Sequence, residues 1–425
     1  MKSLPFFVLV ALTVTAVPAQ SGTQSVEKEI APREVSYERL AFYPKRWRKA
    51  EADFDMLAWE GKNVVFLTKK SEYDAKVMTA FVKRLDDGWQ TYSELVGAQP
   101  RRFKQINGKP TICAIPKSNL SCGYGCGFVG STGIEASAFY SIDLPEFKKR
   151  PDGFQHYYFY EMGRNFFVFG DRHSLFTTGY AVFMRYVCMD KLKCFDRDAR
   201  TRKTIERCEE IYAKSDIGFF DALTNLGSGE KSNRLRDSNG RVISPSDQPV
   251  MYATAMMKLR RDYGGDAWVK RFFQKLRECK SRKATDKDSA RTQVYNWLVC
   301  ASFAANKDLT PVFADRWRMP FTANQRRLMA AIDFSAQKVS VTKVVDSLLD
   351  GGVKSATAEE LRSSVRVVPS VKATESVPSK DAYGFALKSS SRIIFRDGLD
   401  GVRSLKPLAD VLAGELELLL SLIHI

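Results

Sequence analysis

Apolar and polar positions first take on a clear rhythm near residue 63. Asn63 to Leu67 reads as a short β-branched strand, and Ser71 with Asp74 then has the spacing of a capping box at the head of a long helix. Along that helix Val77, Phe81, Leu85, Trp89 and Tyr92 fall on one face, and Gly97 is placed to stop it. Pro110 to Ile115 is a second strand, so the unit runs strand, long helix, strand. The stretch before it, 20–59, mixes charge and aromatics without a period and is expected as a leader strapped across the domain.

From Asn119 to Gly133 the chain is rich in glycine, and Gly125 to Gly130 spells G-x-G-x-x-G. A dinucleotide loop of that pattern needs a helix to begin within it, whereas Ile134 to Ile142 reads as β-like. A disulfide-pinned loop leading into an edge strand fits better. Asp152 is placed to cap a helix running to about Phe169, with Gly170 as its left-handed stop, and a second helix is expected over Tyr180 to Met189. Further helices are predicted at Tyr252 to Tyr263, Asp266 to Leu276 and Ser289 to Ala305, with one more opened by Thr310-Pro311. The pattern predicts an α+β chain: an N-terminal mixed sheet with a long helix, then a mostly helical part. We divide it into an α/β part over 60–170 and a helical part over 171–335. Residues 336–380, rich in Val, Ser, Lys and Thr, read as a linker, and 381–425 as the start of a further domain. Leu420 to Ile425 equals one translation of a common transposon-adapter sequence, so the natural chain is expected to continue and His424 is set aside.

The first residues change the picture of where this domain works. Lys2, the apolar run Leu4 to Val17 and the small side chains of Val17-Pro18-Ala19 have the layout of a secretory signal over 1–19, with cleavage expected after Ala19. The run is too short to span a bilayer as a helix, and nothing downstream is long and apolar enough to do so. A secreted, periplasmic or cell-surface location follows. In that setting the even count of 8 cysteines predicts up to four disulfides, with Cys122–Cys126 and Cys188–Cys194 expected as local pairs rather than as a zinc knuckle. The net charge of +17 is scattered among acids, as at Asp286-Lys287-Asp288, and in an exported protein it favours anionic glycans over nucleic acid as partners.

The segment that carries candidate chemistry is Phe159-Tyr160-Glu161-Met162-Gly163-Arg164-Asn165-Phe166. It resembles the active-site helix of the gluzincin zinc peptidases, H-E-x-x-H, often written H-E-x-G-H-N before an aromatic residue. In that family the third ligand is a glutamate in an E-G-x-A segment on the next helix, matched here by Thr178-Gly179-Tyr180-Ala181. The strand-helix-strand start, the edge strand before the motif helix and Asp308 to Phe313 with Trp317 and Pro320 fit the same order, so the resemblance spans about residues 60–333. It implies a gluzincin-like fold whose zinc ligands are replaced by Tyr160, Arg164 and Thr178, leaving Glu161 as the retained catalytic position.

Residues at i and i+4 share a helix face and can grip one metal, and the neighbouring glutamate polarises the metal-bound water. Neither Tyr160 nor Arg164 can take the part of a ligating imidazole, so no metal site and no cofactor are expected at these positions. Zinc would need unconventional ligands: His156, His173 and either Asp171 or Glu161 offer such a set, although His156 and Glu161 point in different directions on a helix. Glu161 and Arg164 have i, i+3 spacing and are expected to fill the former metal space as an ion pair. Tyr160, Arg164, Thr178 and Tyr180 are expected to line a cleft that binds a peptide or an anionic glycan without catalysis. The alternative is a hydrolase with unconventional metal ligands or metal-free chemistry at Glu161. The aromatic stripe Phe154, Tyr157, Tyr158, Phe166, Phe167 and Phe169 is assigned mostly to packing.

Overall fold

The structure, a computed structural model, describes residues 28–38, 53–115, 124–169, 176–196, 202–203, 234–236, 242–280, 287–336, 339–354, 365–369, 384–386 and 391–395. The expected signal segment, Cys122, Gly170, Asp171, His173, Cys208 and His424 lie outside the described residues.

Residues Val64 to Thr68 are buried without interruption, which a strand allows only when both faces of its sheet are covered. Strands β1 (Arg33–Glu38), β2 (Asp53–Glu60) and β3 (Val65–Lys69) pair antiparallel, and helix α1 (Ala75–Val96) then crosses over the sheet. After β4 (Gln105–Ile106), β5 (Lys109–Ala114) runs parallel to β3, so that Phe66 lies beside Ile112 and Leu67 beside Cys113. Phe66 and Ile112 join the main core, while Leu67 and Cys113 join a smaller cluster with Tyr37, Met56 and Ala58. Strands β6 (Gly125–Gly127) and β7 (Ile134–Ala136) complete the order β1-β2-β3-β5-β7-β6, with β4 alongside β5. Strand β6 is antiparallel to β7 and forms the edge of the sheet.

Two sequence expectations change here. The supposed strap contributes β1 and β2 to the sheet, because its alternating residues Tyr37, Met56 and Ala58 supply one side of the smaller core. The long helix is capped by Asp74 alone, whose carboxylate accepts from the Lys76 and Val77 amides, and it ends at Gly97 with φ 65°. A second carboxylate fixes the turn before β3: Asp86, on α1, accepts from the backbone N–H groups of Lys62, Asn63 and Val64 at 2.7, 2.7 and 2.9 Å. Removing it orphans three donors at once. Asp86→Ala is expected to lower stability by roughly 2–4 kcal/mol in urea unfolding, with Asp86→Asn milder because one acceptor oxygen remains.

Beyond β7 the expected β-like run stops after three residues. Phe139 is fully buried, with its ring 4.8 Å from Phe66 and 5.3 Å from Phe81, and the chain turns inward there as a π-helical turn, Phe139–Asp143, followed by α2 (Leu144–Lys149). The motif helix α3 (His156–Asn165) is shorter than its pattern suggested. Its N-cap is Gln155, since Asp152 pairs with Arg150 instead. At its other end Phe166 leaves the helix to stack on Tyr92 of α1 at 5.1 Å.

The remainder is mostly helical: α4 (Thr177–Lys191), a β8–β9 ribbon (Arg234–Arg236 with Val242–Asp247), α5 (Gln248–Asp262), α6 (Gly265–Leu276) and α7 (Lys287–Ala305). Pro311 opens a five-residue π-helical turn, Val312–Arg316, rather than a full helix, as Phe313 and Trp317 fold onto Trp297. Next come α8 (Ala323–Ala330), with a Thr322–Gln325 capping box, and α9 (Val341–Lys354). Helix α9 falls in the expected linker, yet Val341, Val344, Val345 and Leu348 are buried. Its apolar period was hidden by a polar, Val-rich composition. In the last part of the chain, β10 (Val365–Pro369), β11 (Gly384–Ala386) and β12 (Ser391–Phe395) form a three-stranded sheet.

The chain is therefore α+β, with an N-terminal mixed sheet and a mostly helical remainder. Among the described residues no helix is long and apolar enough to cross a membrane. Cys126 is disulfide-bonded, and no two described cysteines are joined. The expected Cys188–Cys194 pair is not formed. Cys188 is buried in the core on α4, whereas Cys194 follows the helix end, its thiol 3.9 Å from the Leu192 carbonyl.

Candidate functional site

Helices α3 and α4 approach closely because of one small residue on each. A Cβ built at Gly163 would lie 2.9 Å from the Ala181 Cα and 2.9 Å from the Tyr92 hydroxyl, so the contact requires glycine. The side chains of Tyr160 and Arg164, one turn apart on α3, thereby reach the first turn of α4. There the Arg164 guanidinium donates to the Thr178 hydroxyl at 3.2 Å, and Thr178 also shares a hydrogen bond with Tyr160. The three positions that correspond to metal ligands in the resembled motif thus meet around Thr178. All three remain partly exposed.

Glu161 turns the other way, towards the sheet edge. It packs against β6, where a Cβ at Gly125 would come within 2.8 Å of its Cγ and one at Gly127 within 2.6 Å of its backbone oxygen. The Gly127 N–H donates to its carboxylate. This explains the G-x-G letters of the loop: they allow the motif helix to lie directly on the edge strand. The expected Glu161–Arg164 ion pair is not closed, because each side chain has a different partner; Arg164 acts on Glu161 only as a nearby charge. Burial pushes the Glu161 carboxyl up to about 7, outweighing the Arg164 charge and the Gly127 donor, which both pull it down. Burial also raises the Tyr160 phenol, with Arg164 pulling the other way.

Tyr180 does not belong to this group. Its ring is fully buried among Phe167, Phe169 and Phe273, and its hydroxyl donates to the Phe166 carbonyl at 3.4 Å, so its expected role in a cleft is corrected to one in the core. The residue after Arg164 does more than its letter suggested. Asn165 is buried and its amide donates to the carbonyls of Phe128 and Gly133, while the Gly130 N–H caps the Arg164 carbonyl. The motif helix is held at its C-terminal end by the turn between β6 and β7. Only the H-N letter pair of the resembled motif hinted at this.

Of the rival ligand set only His156 and Glu161 are among the described residues, and they do not meet. His156 faces Asp196 at 3.8 Å and the ring of Tyr186, away from Glu161. Among the described residues no three His, Cys, Asp or Glu side chains gather where they could hold a metal ion. Another buried carboxylate, absent from the sequence expectations, ends the π-helical turn before α2: Asp143 accepts from the hydroxyls of Tyr157 and Tyr158 at 2.5 and 2.8 Å. It borders a cavity of about 290 Å³ walled by Phe81, Phe147, Phe154 and Phe195, which shares no residue with the Tyr160–Arg164–Thr178 group.

No family model and no curated protein matches the chain. Two solved structures are similar to it, both described as of a functionally unknown conserved protein from Bacillus anthracis str. Ames, one of them a mutant. Each is 11% identical with a TM-score of 0.42, and the alignments cover 67% and 69% of this chain. They cover 53% and 55% of those proteins, so the chain spans about half their length.

Proposed function

We propose that this is an exported, metallopeptidase-like protein of the gluzincin type that has lost its zinc ligands and uses the former substrate cleft to bind a peptide or an anionic glycan without catalysis. The observation that carries this reading is the meeting of Tyr160, Arg164 and Thr178, from two helices, at one partly exposed spot beside Glu161. The order of elements supports it as well: an antiparallel edge strand, a helix laid directly on it, and a second helix that supplies the third position. A cation and two hydroxyls now stand where the family's motif has two imidazoles and a carboxylate. Such a group suits an anionic or carbonyl-rich ligand through charge-assisted hydrogen bonds.

A second reading, metal-free hydrolysis at Glu161, is favoured by the carboxyl held at about 7, where a general acid or base works best at neutral pH. One experiment separates the two. Purified protein is assayed for bound metal and screened against peptide and glycan substrates and arrays. The binding reading expects substoichiometric zinc, no turnover, and retention of a peptide or acidic glycan that Arg164→Ala weakens about tenfold or more. Stoichiometric zinc, or turnover lost in Glu161→Gln, would sink it.

A further inference from the structure

Two cysteines far apart in sequence come together at a place the sequence reading did not single out. Cys279, just past the end of α6, and Cys300, inside α7, have their sulfur atoms 3.4 Å apart. Neither is in a disulfide. Cys300 is fully buried, while Cys279 is partly exposed, so Cys279 is the more accessible of the two to a reagent in solvent.

We propose that Cys279 and Cys300 are a covalent crosslinking site that closes by thiol–disulfide exchange with a small-molecule disulfide, fixing the end of α6 to the middle of α7. This is independent of how the Glu161 cleft is read. The Cys279 thiolate attacks one sulfur of the incoming disulfide, forming a mixed disulfide and expelling one small thiol. Cys300 then loses its proton and attacks the Cys279 sulfur, expelling the second. The protein gives up two protons and two electrons, and the small disulfide leaves as two thiols.

The geometry allows this with little movement. A disulfide needs its sulfurs about 2.05 Å apart, so they must close by roughly 1.4 Å. The backbone at Cys279 can supply that, since Arg277 already caps α6 and the Cys279 amide makes only a turn-type bond to Leu276. Burial raises the Cys300 thiol well above its ordinary range, which makes the second exchange the slow one. The same short segment seats the last packed helix: Thr342 of α9 donates to the Glu278 carbonyl at 3.0 Å, and Lys280 pairs with Asp346 at 2.9 Å. Closing the link fixes the platform on which α9 docks.

The full chain, first reduced and then equilibrated with oxidised glutathione under native conditions, is digested and mapped by mass spectrometry. The expected result is a peptide pair joined through Cys279 and Cys300, with a melting temperature about 5–10 °C above that of the reduced protein. Cys300→Ala should stop the exchange at a glutathione adduct on Cys279 and lose the shift, and Cys279→Ala should leave Cys300 unmodified. Alanine keeps both sites small and apolar, so either variant folds as a reduced control. In the parent chain, a persistent glutathione adduct on Cys279, a link from either residue to a different cysteine, or a Cys279–Cys300 link that leaves the melting temperature unchanged would overturn the proposal.

Discussion

A chain carrying Tyr160→His, Arg164→His and Thr178→Glu together is expected to take up one zinc ion with a dissociation constant of about 1 μM or tighter, roughly 8 kcal/mol of binding free energy. The parent should retain none through dialysis. The expectation follows from the way α3 and α4 are placed. Positions 160 and 164 are one helical turn apart, and both already reach position 178: Arg164 donates to the Thr178 hydroxyl at 3.2 Å, and Tyr160 also hydrogen-bonds it. Two imidazoles and a carboxylate from these backbone positions would meet a tetrahedral ion at about 2.0–2.2 Å, with water in the fourth place. Gly163 keeps the two helices close enough for this, because any side chain there would strike Ala181. Metal content after dialysis and calorimetric titration read the result. A folded triple variant that binds zinc no better than the parent would show that these positions are not a vacated metal site, and the gluzincin reading would fall with it.

The next-largest expected effect is on stability and comes from Glu161. Its carboxyl is held at about 7 in the folded chain against an ordinary value of 4.5, with burial as the main cause. The unfolded chain therefore releases this proton at lower pH than the folded one, and between about 4.5 and 7 the folded state binds more protons. Stability must fall as pH rises through that window. A shift of this size corresponds to roughly 3 kcal/mol lost by pH 8 relative to pH 4. Glu161→Gln keeps an acceptor for the Gly127 N–H and removes the ionisation. It is expected to melt roughly 5–10 °C above the parent at pH 8 and close to it at pH 4.5, as followed by circular dichroism. Equal differences at the two pH values would mean that the buried carboxyl does not carry this charge. A group that lowers stability at neutral pH while lying beside a partly exposed cluster of polar side chains is also where a catalytic or binding role should be sought first.

These two experiments test different features of the site. The first asks whether positions 160, 164 and 178 can form a metal site; the second asks about the ionisation state of Glu161. Asp86 supplies a contrast. It too is a buried carboxylate, but its three backbone donors make it a structural staple of the β2–β3 turn.

Much of the scaffold could be read from local pattern, for reasons that are themselves local. The periodic face of Phe81, Leu85, Trp89 and Tyr92 located α1, and Gly97, with its left-handed φ, ended it. The amphipathic face of Trp268, Phe272 and Leu276 located α6 in the same way. The elements that were misread are those whose limits come from distant contacts. Helix α3 ends where Phe166 finds Tyr92, the β-like run ends where Phe139 finds Phe66, and the supposed strap becomes two strands that pair onto β3 and extend the smaller core.

The candidate site divides along the same line. By itself the sequence showed that a tyrosine, an arginine and a threonine stand where the resembled motif has its ligands, and that follows from residue type alone. It also marked Glu161 and the glycines around it. Only the tertiary structure decided what those residues do. It joined Arg164 to Thr178 rather than to Glu161, set Glu161 against an edge strand where burial raises its pKa, moved Tyr180 into the core, and brought Cys279 to Cys300. Each outcome depends on which surface packs over which. Helical spacing restricts the choices within one helix and is silent about the strand or helix that lies across it.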